Sequence, residues 1–333
     1  GSAQTSDRNV AIGKDALAAF TGDGDTYNVA IGFNAMGSST TGGASVAMGG
    51  GAMGSNTTGG SNTALGYFAL TSNTTASDNT AVGKSALYAN TTGANNTAVG
   101  SQALDTVTTA NNNTAVGYIA LGANTSGTQN TAVGAYAADS HTTGNYITAV
   151  GVNALGDNTT GNNNTAVGNA AMNRNTTADN NTALGYQALE ENTTGTQNTA
   201  VGANALDENT TANNNTAIGY NSLGVCTTGA ENVAIGHGSA DALTTGSKNV
   251  AMGGDAMGKR VSGDRNVAIG NYCSADGAST GTQNTAMGDN ALRELTTGDY
   301  NTAIGCESAY NTTTGSGNVI MGYQALRTAT TNN

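Results

Sequence analysis

The chain has 333 residues with 49 Gly, no Pro and no Trp, a composition that without regard to order belongs to low-complexity disorder. Its formal net charge is −12 and its ten Lys and Arg are scattered, so no basic stripe exists for nucleic acid and an anionic membrane surface would repel it. Aliphatic runs are only a few residues long, and no segment is expected to insert into a bilayer.

Residue order overrides the composition. Gly1-Ser2 reads as an expression scar, and residues 1–8 as that scar followed by a partial coil. From Asn9 onward the chain repeats variants of Asn-Thr-Ala-Val-Gly-x-x-Ala-Leu-x-x-Asn-Thr-Thr-Gly-x-x nineteen times. The glycine closing the Ala-aliphatic-Gly triplet recurs every 17 residues, except for a step of 19 between Gly13 and Gly32 and of 18 between Gly270 and Gly288. So short and strict a period predicts an all-β, parallel β-solenoid of 19 coils of about 17 residues, forming one repeat domain over residues 1–333. At a rise of ~4.8 Å per coil, the rod should be on the order of 90 Å long. Thr330-Thr331-Asn332-Asn333 ends in mid-pattern, and an excerpt of a longer protein is expected.

Positions within the repeat are numbered from the Asn four residues before the glycine. Positions two to four, Thr-Ala-Val or Val-Ala-Ile, form a β-prone segment with alternating faces. Position three is Ala in every repeat but the last, where it is Ile320, so a backbone layer must lie close behind it. Position four is always aliphatic or Met and position two is Thr or Val, which predicts a strand covered on both sides. A single-layer coil covers one side, and the other cover should be a sister chain. The interface is therefore expected at Val82, Val99, Val116, Val133, Val150, Val167, Val201 and Ile218. The repeat glycine should sit at positive φ or where backbones crowd. The downstream Ala-Leu or Ala-Met, as at Leu17, Met53, Leu104, Leu189, Met257 and Leu326, reads as an outer segment of the coil. Asn-Thr-Thr-Gly then turns the chain, with Asn able to adopt αL and the Thr hydroxyls bonding local backbone. Position-one Asn, replaced only by Ser45 and Ile147, predicts an amide ladder between coils.

Catalytic and metal-binding chemistry is not expected. His141 and His237 lie in different columns without a Cys or carboxylate cluster, and read as surface or turn residues. The acidic residues, among them Asp23, Asp25, Glu190, Glu191, Asp207 and Glu208, read as solvated rim charges of ordinary pKa. Cys226, Cys273 and Cys306 read as free thiols. The sequons at Asn73, Asn90, Asn158 and Asn192 are explained by turn chemistry without sugar, and the periodic glycines form no phosphate cradle. No catalytic residue, cofactor or metal ligand is assigned. One decoration is a candidate ligand site: Tyr67, Tyr118, Tyr186, Tyr220 and Tyr323 each follow a repeat glycine and should line one surface, where tyrosines can stack on sugars or anchor a receptor. The competing reading is that they cover apolar atoms of neighbouring coils.

Asn9-Val10-Ala11-Ile12-Gly13, Asn28-Val29-Ala30-Ile31-Gly32, Asn232-Val233-Ala234-Ile235-Gly236 and Asn266-Val267-Ala268-Ile269-Gly270 resemble the Ser-Val-Ala-Ile-Gly signature of YadA-like head repeats. Those repeats occur in trimeric autotransporter adhesins and related phage tail fibres, and the similarity runs through all nineteen coils. The resemblance implies a left-handed β-roll, homotrimeric along its length, on a bacterial cell surface or virion. The coils here are three residues longer than the family's usual 14, and neither a heptad stalk nor a membrane anchor is present in the sequence. The expected function is an extracellular fibre segment for cell adhesion, binding a host receptor or glycan, without enzymatic activity. Alternatives are a purely structural spacer, or an ice-binding solenoid suggested by Thr at position two in ten consecutive repeats from Thr63 to Thr216.

Overall fold

Thr-Ala-Val and Val-Ala-Ile are β-prone triplets too short to stand alone, and each is stabilised by the same triplet one coil away. The computed structural model describes residues 8–22, 26–275 and 279–328. Among these, nineteen three-residue strands run from β1 (Val10–Ile12) to β19 (Val319–Met321), with no helix. The chain forms two compact units, residues 1–163 and 164–333. In the first, β1 through β9 (Thr148–Val150) pair in sequence order, all parallel and in register; Thr80, Ala81 and Val82 face Thr97, Ala98 and Val99. In the second, β10 (Thr165–Val167) through β19 do the same. The long steps are absorbed in loops, since Val10 still pairs with Val29 and Val267 with Thr285. Each unit is thus a parallel β-solenoid.

The core of a coil is small and half polar. In one coil Asn79, Ala81, Ala86, Leu87 and Asn90 are fully buried. The Ala of position three points inward, as its restriction to the smallest side chain requires. The downstream Leu or Met does too, which corrects its reading as part of an outer segment: Leu17, Met53, Leu104, Leu189 and Met257 are core, and Leu326 in the last coil is exposed. This segment is a chain of tight turns in which alternate residues take αL, Ser85 at φ 56° and Leu87 at 52°. The αL residue lets the adjacent Ala86 and Leu87 both face inward, which a strand cannot do. Bulky residues rarely occupy αL. Here backbone hydrogen bonds hold them there, the Leu87 N–H donating to the Ala103 carbonyl of the next coil (3.0 Å) and the Asn90 N–H to the Leu87 carbonyl within the coil (3.2 Å).

The repeat glycine meets both expectations placed on it. Gly83 has φ 131°, and a Cβ there would lie 2.4 Å from the Gly100 carbonyl oxygen of the next coil.

Two buried asparagine columns run along the coils, the one predicted at position one and a second in the turn. At position one, Asn79 Oδ1 accepts the Asn96 backbone N–H (2.9 Å), while its Nδ2 donates to the Gly93 carbonyl (2.9 Å) and so ties the turn of its own coil. To this side-chain-to-backbone clamp the coils from Asn232 to Asn318 add the predicted amide ladder, each Nδ2 after the first also donating to the Oδ1 of the asparagine one coil earlier, as Asn249 does to Asn232 (3.1 Å) and Asn266 to Asn249 (3.0 Å). Ser45 preserves the clamp, because its Oγ accepts the Asn62 N–H at 3.1 Å. The Asn of Asn-Thr-Thr builds the second column, with amide-to-amide bonds from Asn73 to Asn56 (2.8 Å) and from Asn192 to Asn175 (2.9 Å). These asparagines are not the αL residues of the turn. That conformation falls one residue before position one, at Asp78, Asn95 and Asn112. The Thr hydroxyls bond the next coil rather than their own, as Thr74 Oγ1 does to the Thr91 carbonyl (3.1 Å). The sequon residues Asn73, Asn90, Asn158 and Asn192 are fully buried, so the folded coil offers none of these amides to a glycosylating enzyme. Arg260 also stands in the turn column, its guanidinium fully buried and donating to the Gly281 carbonyl and Ser274 Oγ; burial pushes its pKa down to about 10.

Candidate functional site

Because each strand turns its central residue inward, positions two and four face outward, and each unit carries its own apolar stripe. In the first unit Val82, Val116 and Val150 are half-buried, while Val99 and Val133 are 36% and 37% exposed. In the second, Val167 and Val201 are half-buried and Ile218 is 39% exposed. Leu65, Leu184, Met252 and Met287 extend the stripes, and no charged side chain occupies either position in any strand. Position four is thus an apolar outward column in every strand, beside a column that is Thr in twelve strands and Val in seven, and an apolar column of this kind is uncommon on a monomer.

The tyrosines are exposed, from 44% at Tyr118 to 73% at Tyr323, with Tyr67, Tyr186 and Tyr220 between. Three of them have aromatic neighbours that the sequence reading did not connect. Tyr67 lies against Phe68 (centroids 4.1 Å apart), Tyr118 meets Tyr136 edge-on at 5.3 Å, and Tyr220 stacks on His237 at 5.5 Å. The signal was the 17-residue spacing: His237 follows its repeat glycine as Tyr220 does, one coil on. The rings thus lie against their neighbours and remain exposed to solvent.

His141 is not a surface residue. It takes the place of an Asn in the turn column and is fully buried. Nε2 lies 2.8 Å from the Gly144 carbonyl, which can only accept, so this nitrogen carries the proton; Nδ1 accepts from Asn158 Nδ2 at 2.8 Å. A second proton would set two donors against each other in a site that already disfavours charge, and burial lowers the His141 pKa. The unfolded chain takes up this proton near the ordinary value of ~6.5, whereas the folded one resists it. Stability is therefore unaffected above that pH and falls as pH drops below it. A His141→Asn variant should melt at a constant offset from the parent above about pH 7 and gain on it progressively between about pH 6.5 and 5. A constant offset over the whole range would refute the assignment.

The acidic rim is not uniformly ordinary. Asp207, half-buried, has its pKa raised to about 6, first by burial and then by the neighbouring charges of Glu208 and Glu190. Glu191 pairs with Arg174 at 2.6 Å. Asp23 and Asp25 lie outside the described residues. Of the free thiols, Cys226 and Cys273 are buried, with pKa values pushed up to about 11 and 12, and Cys306 is exposed. Among the described residues no three His, Cys, Asp or Glu side chains gather into a set that could hold a metal ion, and no helix is long and apolar enough to cross a membrane. No family model matches the chain, and no significant match was found among curated proteins.

Proposed function

We propose that the chain is a segment of an extracellular, homotrimeric fibre, on a bacterial surface or a virion, that presents an adhesive surface to a host receptor or glycan and catalyses no reaction. The observation that carries this reading is the uncharged outward face of the strands, aliphatic or Met at position four and Thr or Val at position two. It recurs in every strand, lies outside the coil's own core, and calls for a partner with the same repeat. A second copy in register satisfies that demand at every coil at once, which a globular partner of different periodicity does not. The resemblance to YadA-like head repeats supplies the number three and the left-handed sense of the coil. The exposed tyrosines, two residues beyond position four, supply the surface for binding after assembly.

Changing Tyr67, Tyr118, Tyr186 and Tyr220 together to Ser should reduce attachment to host cells or immobilised glycans by at least about tenfold, with the melting temperature and assembled mass preserved. Unimpaired attachment would remove the tyrosines from the binding surface; loss of folding would make them structural covers.

An exposed hydroxyl column also runs along the turns, Thr58, Thr75, Thr92 and Thr109 in the first unit, one per coil. This favours ice binding as a second reading, although the strand face itself is Thr-x-aliphatic rather than Thr-x-Thr. Thermal hysteresis of the purified chain decides it.

A further inference from the structure

Five residues after the repeat glycines Gly236, Gly253, Gly270 and Gly288 stand Asp241, Gly258, Ala275 and Arg293, one column on four successive coils. Two of the smallest residues are thus framed by a carboxylate and a guanidinium, and a recess opens where their side chains are missing. It has a volume of about 380 Å³ and is lined by these four residues with Asp255, Lys259 and Tyr272. That is within the ~300–1,000 Å³ of small-molecule sites.

The walls are preorganised. Asp255 and Tyr272 are αL residues at φ 51° and 49°, their N–H groups donating to the His237 and Gly254 carbonyls at 2.9 Å each. The Arg293 guanidinium lies over two rings, 5.4 Å from the centroid of Tyr272 and 5.6 Å from that of Tyr310, and donates to Asn290 Oδ1 at 3.0 Å. The two carboxylates converge on Gly238: a Cβ there would lie 2.5 Å from Asp255 Oδ1 and 3.8 Å from Asp241 Oδ2. The other oxygen of Asp241, Oδ1, is shielded from solvent and accepts no hydrogen bond from the described residues. A buried acceptor without a donor costs free energy that a ligand's donor can recover.

The charge pattern selects the ligand. A cation would meet Lys259 and Arg293, and an anion would meet Asp241 and Asp255 in a protein of net charge −12. A neutral molecule rich in hydroxyls satisfies both sets, because each hydroxyl donates to a carboxylate and accepts from a cation. Tyr272, 47% exposed, offers an aromatic face for the C–H surface of a sugar ring.

We propose that this recess is a binding site for a neutral saccharide of one or two pyranose rings. The site belongs to a single chain. It gives the proposed adhesive fibre a ligand class but does not depend on assembly.

The test is a titration of the purified chain with mannose, lactose and maltose, followed by saturation-transfer NMR, with putrescine and glucuronate as cationic and anionic competitors. At least one neutral sugar should bind with a Kd on the order of 0.1–10 mM. Tyr272→Asn, which keeps a residue tolerant of αL, and Asp241→Asn, which keeps the shape, should each weaken it by at least about tenfold. If Tyr272→Asn does not fold, Asp241→Asn and Asp255→Asn are read in its place. The proposal fails if none of the sugars binds up to about 50 mM, if these substitutions leave binding unchanged, or if putrescine or glucuronate binds better. Its failure is separable from that of the adhesive reading. Cell attachment undiminished by Asp241→Asn keeps adhesion and removes the site, whereas sugar binding by a chain that attaches to no cell does the reverse.

Discussion

Replacing Val133, Val167 and Val201 together by Asp should leave the chain folded but monomeric. In the single chain Val133 is 37% exposed and the other two are half-buried, all on the outward face of their strands. A carboxylate at these places remains in contact with water, the inward Ala of each strand is untouched, and the coil has no reason to open. Covered by sister chains, the same carboxylates would be buried without a cation, since neither outward strand position carries one in any coil. An uncompensated buried charge costs at least several kcal/mol, and in a trimer the three substitutions are repeated in every chain. Light scattering of the parent should give the mass of three chains and the variant that of one, with unchanged far-UV circular dichroism. A variant that retains its parent's mass and melting temperature would mean that these columns face solvent, and the trimeric reading would be wrong. Val→Thr at the same positions is the control for shape and should weaken assembly without abolishing it.

The strand positions were legible because they repeat a physical constraint. A column that is Ala in all coils but the last, flanked by two that exclude charge, has one reading as a strand with a crowded inner face, and every strand falls on the residues it specifies. The turn segment was less legible. An Ala-Leu pair on consecutive residues contradicts strand alternation, and the reading that placed it outside the core assumed alternation where the backbone instead uses αL at Leu87. A signal for this existed two residues after the repeat glycine, where Asn34, Gly51, Asn153, Asn204, Asn221 and Gly238 are αL-tolerant types. His141 stands in a turn, as one of its two readings had it, but its burial was missed because its column was judged from a histidine's usual surroundings rather than from the asparagines above and below it. Asn158 and His141 sit 17 residues apart in one buried column, and spacing alone identifies the environment they share. The recess between Asp241 and Arg293 escaped the sequence reading for another reason. It is formed by what Gly258 and Ala275 lack, and an absence becomes a site only once the column is known to face outward.

The glycine columns allow the sharpest test of the coil itself, because two of them look equally crowded and should respond differently. A Cβ on Gly100 would stand 2.2 Å from the Gly117 carbonyl oxygen, and one on Gly93 would stand 2.3 Å from that of Ala110. Distance alone predicts the same penalty. The sequence does not: the Gly93 column holds Ala76, Ala110 and, in the second unit, Ala178 and Ala212, whereas the Gly100 column holds glycine in all nineteen repeats. The backbone explains the difference. Gly100 has φ 138°, which L residues rarely adopt, and it is fixed on both sides, its N–H donating to the Val82 carbonyl at 2.7 Å and the Gly117 N–H to the Val99 carbonyl at 2.8 Å. An alanine there can relieve its clash only by breaking the strand ladder. Gly93 has no such conformation, and a small shift of the turn accommodates a methyl group. Gly100→Ala should therefore cost roughly 4 kcal/mol or more, combining backbone strain with the clash, while Gly93→Ala should cost no more than about 1 kcal/mol. In a solenoid the damage should be local, since each coil touches only its neighbours. Hydrogen exchange of the Gly100→Ala chain should show protection lost at the amides of Ala98, Gly100 and Gly117 and retained at those of Ala30 and Ala47. Equal destabilisation by the two substitutions would mean that crowding alone, and not the positive φ, reserves the repeat position for glycine.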